Sequence, residues 1–246
     1  MNWRMAVGVL GLVTVSGLSL RGAAESGGLP GLAPGARVLF QGDSITDGGR
    51  WRNSSDPNHI FGQGYPFLIA ARLGALHPER RLVFLNRGVS GDRVTDLLRR
   101  WPEDTLALKP DVVSILVGVN DVLLALQNHT RVSPREFAAD YDRLLAATVR
   151  AMPGVRLVLG EPFIEPGART NADWAAWQED IRALQAVVAQ LGAKYHAPVV
   201  PYQKVFDDAC GRAPVDTWIW DGVHPTAAGH ELMAQEWIRV VREAGP

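Results

Sequence analysis

Cysteine is almost absent from this chain, because Cys210 is the single one in 246 residues. An intramolecular disulfide and a cysteine-built zinc site are therefore both excluded. An excess of charge of either sign is also absent: 25 Lys and Arg face 26 Asp and Glu, which leaves a formal net charge of −1. Nucleic-acid-binding proteins normally carry a basic footprint, so this balance disfavours that class of function.

The longest uncharged and mostly apolar run lies near the N-terminus, at residues 5–20. The basic Arg4 precedes it, and small residues up to Ala24 follow it. This three-part layout is typical of a secretory signal peptide, so we expect residues 1–24 to be removed by cleavage after Ala24. A membrane span needs about 20 apolar residues, which makes a retained anchor the less favoured alternative. We therefore expect an exported protein, periplasmic or extracellular, without a stable membrane span.

Residues 25–35 have the composition of a linker, because six of the eleven are glycine or proline. Such segments are flexible and connect folded units. We predict a tether there, followed by one domain at residues 36–246. Hydrophobic residues make up 47% of the chain and charged residues 21%, which is typical of a globular domain with a sizeable core.

Short apolar runs alternate with longer amphipathic ones beyond the tether. Five of the short runs predict strands, several of which are expected to be buried on both faces. They cover residues 37–41, 81–86, 111–117, 156–160 and 198–201. Alternation of strands and helices predicts an α/β fold with a central, mostly parallel five-stranded sheet and helices on both of its faces.

Three amphipathic runs predict long helices with apolar residues on one face. They cover residues 133–152, 173–191 and about 226–242. Ser133, Pro134 and Glu136 open the first of them in the arrangement of a capping box. Gly192 is expected to end the second, because glycine commonly terminates helices.

Polar clusters follow the first three predicted strands and precede the last helix. They read Gly42-Asp43-Ser44-Ile45-Thr46, Asn86-Arg87-Gly88-Val89-Ser90-Gly91, Gly118-Val119-Asn120-Asp121 and Asp221-Gly222-Val223-His224-Pro225. A turn or a helix cap explains each of them when it is taken alone. Ligands bind at the carboxyl ends of the strands in open parallel sheets, so these clusters together indicate a site at that edge.

The side chains of these clusters supply every part of an acyl-transfer site. The hydroxyl of Ser44 becomes a nucleophile when a base takes its proton, and the imidazole of His224 suits that task near neutral pH. Asp221, three residues before His224, can hold the imidazole and stabilise its protonated form. The developing oxyanion needs fixed donors, which the Gly88 backbone N–H and the Asn120 side-chain amide are predicted to provide.

With these four blocks the chain resembles the SGNH, or GDSL, family of serine esterases and lipases. The blocks occur in the family's order and span most of the chain beyond the tether. The resemblance implies a three-layer α/β/α sandwich of the flavodoxin-like type, with Ser44 as nucleophile, His224 as base and Asp221 as the carboxylate that orients the base. It also implies an oxyanion hole formed by Gly88, Asn120 and the backbone N–H of Ser44.

Two other hydrolase classes fit the sequence less well. The nucleophile elbow of α/β-hydrolases is Gly-x-Ser-x-Gly, whereas Thr46 stands two residues after Ser44. A metal-dependent hydrolase would have to draw its ligands from the four polar clusters, which contain no His-x-x-x-His pair and no carboxylate array. We therefore expect neither a metal nor another cofactor.

Aromatic residues close to the clusters are candidates for substrate binding. Trp51 and Tyr65 lie in the polar and aromatic stretch after the nucleophile, and Trp218 and Trp220 precede the Asp-Gly-Val-His segment. Exposed tryptophans near a catalytic loop can stack on the apolar faces of sugar rings. The alternative is that these residues pack in the core or shield the triad.

Two longer segments are similar to those of the SGNH subgroup that contains bacterial acetyl-xylan esterases. They are residues 109–122 and residues 220–230. This resemblance implies that the chain removes O-acetyl groups from carbohydrate, with a small-molecule or oligosaccharide ester as substrate. A lysophospholipase or thioesterase on the same fold remains an alternative, and so does a non-catalytic glycan-binding protein.

Overall fold

The computed structural model describes residues 32–53, 56 and 59–245. The predicted signal peptide and most of the predicted tether therefore lie outside the described residues. The described end of that tether is packed onto the domain: Leu32 is buried, its carbonyl accepts a hydrogen bond from Arg80, and the N–H of Gly35 donates to the Arg80 carbonyl. The prediction of a flexible tether is wrong for residues 32–35, because Leu32 contributes an apolar side chain to the core.

The central sheet has five strands, all parallel, in the order β2-β1-β3-β4-β5. The strands are β1 Arg37–Gly42, β2 Val83–Asn86, β3 Val112–Leu116, β4 Arg156–Gly160 and β5 Val199–Val200. All five residues of β3 are buried, as expected for a central strand that is covered by helices on both faces. The α/β prediction with five strands is confirmed, and β4 has the predicted bounds.

Eight helices flank the sheet within the described residues. They are α1 Ser44–Asp47, α2 Tyr65–Leu76, α3 Val94–Asp104, α4 Val119–Gln127, α5 Pro134–Ala151, α6 Trp174–Lys194, α7 Tyr202–Cys210 and α8 Ala227–Glu243. Helices α2 and α7 pack against α8, whereas α3 and α6 pack against α5, and α4 packs against α6. This division gives one layer on each face of the sheet, and the predicted α/β/α sandwich is confirmed. None of the helices in the described part of the chain is both long enough and apolar enough to cross a membrane.

The predicted helix signals agree with the structure at two ends and fail at one. The Ser133 hydroxyl accepts from the N–H of Glu136 at 3.3 Å at the start of α5, and Thr226 caps α8. The prediction that Gly192 ends α6 is wrong, because the helix continues to Lys194. Glycine is required there for packing: a Cβ atom would lie 2.5 Å from Val199 Cγ2 on β5.

The sheet register brings the first three polar clusters to one edge. Gly42 at the end of β1 pairs with Leu116 at the end of β3, and Phe40 pairs with Asn86 at the end of β2. The segments that follow these strands therefore emerge side by side. Parallel strands have all their carboxyl ends at one edge, which is why segments distant in sequence meet there.

Candidate active site

Ser44, His224 and Asp221 form one connected series of hydrogen bonds. The Oγ atom of Ser44 lies 2.9 Å from Nε2 of His224, and Nδ1 of the same ring lies 2.7 Å from Oδ2 of Asp221. Asp221 is buried, whereas Ser44 and His224 are partly exposed. In this arrangement an imidazole can take the serine proton while the shielded carboxylate stabilises the imidazolium.

Backbone hydrogen bonds hold Asp221 in place relative to His224. Its Oδ1 atom accepts from the N–H of Val223 at 3.0 Å and from the N–H of His224 at 2.7 Å. Gly222 has a φ of 96°, a left-handed conformation that favours glycine. Burial by itself raises the pKa of Asp221, but the hydrogen bonds from His224, Val223 and Arg169 outweigh it and hold the pKa below its usual value. Asp221 is therefore ionised at neutral pH.

A tight turn places Ser44 at the carboxyl end of β1. Gly42 permits this turn, because a Cβ atom there would lie 2.3 Å from the carbonyl oxygen of Leu116. Its φ of 155° is also a conformation that other residues rarely adopt. Asp43 then caps α1, with its Oδ1 atom accepting from the N–H of Ile45 at 3.0 Å. Ser44 consequently begins α1 with its hydroxyl directed at His224.

Two carboxyl groups stand next in sequence to Ser44 and Asn120: Asp43, which is buried, and Asp121, which is half-buried. Burial raises the pKa of Asp43 and that of Asp121 to about 7. The Oδ2 atom of Asp43 has no hydrogen-bond partner among the described residues, whereas Asp121 accepts from the N–H of Val94 at 3.3 Å. No group of three or more His, Cys, Asp or Glu side chains within the described residues is placed to hold a metal ion.

The two predicted oxyanion donors are placed differently. Asn120 donates from Nδ2 to the carbonyl of Asp92 at 3.1 Å, which orients the amide and leaves it a second N–H. The N–H of Gly88 already donates to Oδ1 of Asn86 at 2.9 Å, so the prediction for Gly88 is wrong. Asparagine side chains often bond the N–H two residues on, and the spacing from Asn86 to Gly88 is the signal that indicates it.

Gly91 is the next glycine of the same loop, and its backbone N–H is a candidate oxyanion donor. It is exposed, its φ is 88°, and its N–H donates no hydrogen bond within the part of the chain that the structure describes. Ser90 before it donates from its N–H to Oδ2 of Asp47 at 3.1 Å, and Asp92 after it accepts from Asn120. These contacts hold Gly91 between the end of α1 and the Asn120 amide.

The indole of Trp220 lies beside the ring of His224. The two ring centroids are 5.8 Å apart, and the ring planes differ by 21°. Trp220 is 61% exposed, which is unusual for so large an apolar side chain. A flat apolar surface open to solvent therefore adjoins the imidazole.

The other predicted substrate contacts have different surroundings. Tyr65 is fully buried and packs edge-on against Phe40. The prediction that Tyr65 contacts substrate is wrong, because its ring is part of the core. Trp51 is 60% exposed, whereas Trp218 is half-buried beneath the guanidinium of Arg212.

Residues 40–232 match the sequence model of the GDSL-like Lipase/Acylhydrolase family. The match includes all four polar clusters and covers more than half of the chain. The chain belongs to this family. As a GDSL-family member it is a serine carboxylic ester hydrolase, which confirms the class of enzyme that the four blocks predict.

Relatives of this GDSL-family chain include characterised and solved proteins. The acetylxylan esterase of Geobacillus stearothermophilus is 32% identical over 215 residues, which are 85% of this chain and 95% of that protein. The solved Axe2 acetylxylan esterase of Geobacillus stearothermophilus has a TM-score of 0.75 at 31% identity, over 85% of this chain and 95% of its own. A structure described as a GDSL-like lipase, from Parabacteroides merdae, has a TM-score of 0.81 at 36% identity, over 85% and 97% of the two chains.

Proposed function

We propose that the chain is an exported carbohydrate O-acetylesterase with Ser44 as nucleophile, His224 as general base and acid, and Asp221 as the carboxylate that orients His224. The observation that carries these roles is the hydrogen-bonded series from Ser44 Oγ to His224 Nε2 at 2.9 Å, and from His224 Nδ1 to Asp221 Oδ2 at 2.7 Å. The proposed substrate is supported by the relative named acetylxylan esterase, of which the match covers 95%.

The reaction proceeds through an acetyl-enzyme. Ser44 Oγ attacks the ester carbonyl carbon while His224 Nε2 takes the hydroxyl proton. The tetrahedral intermediate collapses when its bond to the sugar oxygen breaks, and His224 returns the proton to that oxygen. Water then loses a proton to His224 and attacks the acetyl carbon. The bond from that carbon to Ser44 Oγ breaks, His224 returns the proton to Oγ, and acetate leaves. Asp221 stays ionised throughout and stabilises each imidazolium.

The oxyanion is held by three N–H groups in this proposal. They are the backbone N–H of Ser44, the backbone N–H of Gly91 and the second N–H of the Asn120 side chain. Gly91 takes the place first predicted for Gly88, whose N–H is occupied by Asn86. The Asp92 carbonyl supports this assignment because it orients the Asn120 amide from the residue next to Gly91. Donors fixed before the reaction stabilise the developing charge without reorganisation.

The alcohol part of the substrate is assigned to a sugar on the basis of Trp220. Its exposed indole runs nearly parallel to the His224 ring, and His224 is the group that protonates the departing alcohol oxygen. A sugar leaving group next to His224 can therefore lay its apolar C–H face on the indole. Trp51 and Trp218 are secondary candidates for contacts farther along a saccharide chain.

Export is proposed from residues 1–24, which carry the pattern of a signal peptide and lie outside the described residues. Carbohydrate polymers are too large to enter a cell, so export would give the enzyme access to them. N-terminal sequencing of the mature protein tests this part, and we expect it to begin after Ala24. A mature chain that begins at Met1 would contradict it.

The substrate proposal is tested with p-nitrophenyl esters from acetyl to palmitoyl and with acetate release from acetylated xylan and pectin. A small acyl site predicts that kcat/KM falls steeply beyond two to four carbons and that acetate is released from at least one polysaccharide. Rates that rise with chain length would instead favour a lysophospholipase or thioesterase. Saccharide binding without hydrolysis would favour a glycan-binding protein.

The residue roles are tested with Ser44→Ala on p-nitrophenyl acetate. We expect a loss of activity by a factor of about 10⁴ or more, because no other group can form the acyl-enzyme. Ser133→Ala is the matched control, since Ser133 only caps α5. The control should lower stability by about 1 kcal/mol and leave kcat/KM unchanged. A folded Ser44→Ala enzyme with full turnover would overturn the mechanism.

A further inference from the structure

Asp221 is shared between His224 and an arginine from another loop. Its Oδ2 atom accepts from His224 Nδ1 at 2.7 Å and from Arg169 Nε at 2.5 Å. Its Oδ1 atom is already occupied by two backbone N–H groups. The carboxylate thus has four donors, and the one oxygen that contacts the imidazole also contacts a guanidinium.

Arg169 is held there by its own backbone. The N–H of Arg169 donates to the carbonyl of Asp221 at 2.9 Å, and the N–H of Glu165 donates to the carbonyl of Gly222 at 2.9 Å. Gly167 between them approaches so closely that a Cβ atom would lie 2.3 Å from the N–H nitrogen of Gly222. The segment between β4 and α6 is therefore clamped onto the loop that carries Asp221. The backbone that carries Arg169 is therefore fixed relative to Asp221, and its side chain reaches the carboxylate from there.

We propose that Arg169 is a positioning residue that fixes the Asp221 carboxylate and sets a positive charge against the imidazolium form of His224, so that the triad stays active to lower pH. This proposal rests on the function proposed above, because it concerns the same triad. Arg169 does not touch the ester; it acts through Asp221. Its effect on the pH dependence of the rate separates this role from a purely structural one.

The sign of the effect follows from charge. A proton on His224 is stabilised by the negative Asp221 and opposed by the positive Arg169. His230 on α8 also faces His224, but burial and the His224 charge lower the pKa of His230 to about 4, so His230 is neutral over the working range. Asp221 and Arg169 are therefore the two charged side chains that these contacts place around the imidazole. The first attracts the imidazolium and the second repels it.

The test is the pH dependence of kcat/KM for Arg169→Met between pH 5 and 9. Without the guanidinium, Asp221 favours the imidazolium more strongly, so the acid limb moves to higher pH. We expect a movement of about 0.5 to 1 pH unit, since the side chain of Arg169 is 47% exposed and its charge is partly screened. The rate at pH 5.5 should then fall by about three- to tenfold, while the rate at pH 9 changes by less than about threefold.

Two variants and one solvent condition complete the design. Arg169→Lys keeps the charge and should hold the acid limb within about 0.3 pH unit of the parent. Arg182→Met removes an exposed arginine of α6 that does not contact Asp221. It should leave the acid limb of kcat/KM at the parental pH. Raising the ionic strength should move the limb of the parent upward and leave that of Arg169→Met unchanged, because salt screens the exposed guanidinium.

The outcomes distinguish the two proposals. If kcat/KM of Arg169→Met falls by the same factor at every pH, or does not change at any pH, the role of Arg169 is overturned and the triad stays intact. A flat profile of the parent enzyme from pH 5 to 8 would instead contradict His224 as the base. If Arg169→Met does not fold, the Lys variant and the salt dependence of the parent decide the question: a limb that salt does not move contradicts the proposal.

Discussion

The Nε2 atom of His224 lies 2.9 Å from the Oγ atom of Ser44, although 180 positions separate the two residues. Ser44 begins a helix of four residues directly after β1, and His224 lies in a loop before α8. Packing of α8 against α2 is one of the contacts that tie these distant parts of the chain together. Hydrolysis should therefore be lost whenever this tertiary packing is lost.

Replacement of Asn120 by alanine should lower kcat by about 10²- to 10³-fold, because it removes one oxyanion donor. KM for p-nitrophenyl acetate should change by less than about threefold, since the donor acts mainly on the transition state. Asn128→Ala, at the exposed end of α4, is the control and should keep the parental kcat. Steady-state kinetics measure both variants, and an Asn120→Ala enzyme within about threefold of the parent would exclude Asn120 from the oxyanion hole.

Replacement of Trp220 by alanine should separate sugar esters from simple esters. The indole is 61% exposed, so its loss should cost little stability, but it would remove a stacking surface worth about 1 to 1.5 kcal/mol. That energy corresponds to roughly a tenfold rise of KM for an acetylated xylo-oligosaccharide. Leu76→Ala, at a similarly exposed apolar residue at the end of α2, is the control and should leave KM unchanged. A Trp220→Ala enzyme with the parental KM for the oligosaccharide would argue against stacking on Trp220.

The stability of the enzyme should fall as the pH rises through the range in which Asp43 ionises. Burial raises the pKa of Asp43 to about 7, whereas an Asp in the unfolded chain has its ordinary pKa of 3.8. The native state thus holds more protons than the unfolded state between these two values, and its stabilisation is lost as pH approaches the folded value. Asp43→Asn removes this titration.

We expect the free energy of unfolding of the parent, relative to that of Asp43→Asn, to decrease by an amount on the order of 2 kcal/mol between pH 5 and 8. Urea titrations at several pH values measure the difference. Asp104→Asn controls for the loss of a carboxylate that is not buried, because Asp104 is partly exposed and contacts Arg100. A difference between parent and Asp43→Asn that does not vary with pH would contradict the protonated state of Asp43.

Local sequence signals predicted the strands and the nucleophile block well, for physical reasons that act over short distances. The run at residues 156–160 is short and mostly apolar, and it forms β4 with the predicted bounds. Ser133 caps α5 as the capping pattern indicates. Such signals depend on neighbours within a few positions, so one sequence contains them in full.

The wrong predictions for Tyr65, Gly192 and Leu32 share a different cause. Tyr65 lies in an aromatic and polar stretch, yet its ring is buried against Phe40 from β1. Gly192 has the signature of a helix end, yet it lies inside α6, where the close approach of Val199 on β5 leaves no room for a Cβ atom. Leu32 stands in a glycine- and proline-rich segment, yet it joins the core. Each outcome depends on a segment far away in the chain, and no local pattern reports it.

The amino-acid sequence by itself determined the chemistry of the site, because Ser44, Asn120, Asp221 and His224 can be read from motifs whose residue types suit acyl transfer. Only the tertiary structure decided which backbone N–H is available to the oxyanion. Oδ1 of Asn86 accepts from the N–H of Gly88, whereas the N–H of Gly91 donates to no group among the residues that the structure describes. The tertiary structure also decided that Arg169 bonds Asp221 across 52 positions. Hydrogen bonds and charge pairs depend on distances of a few ångströms, and chain folding sets those distances between residues that the sequence keeps apart.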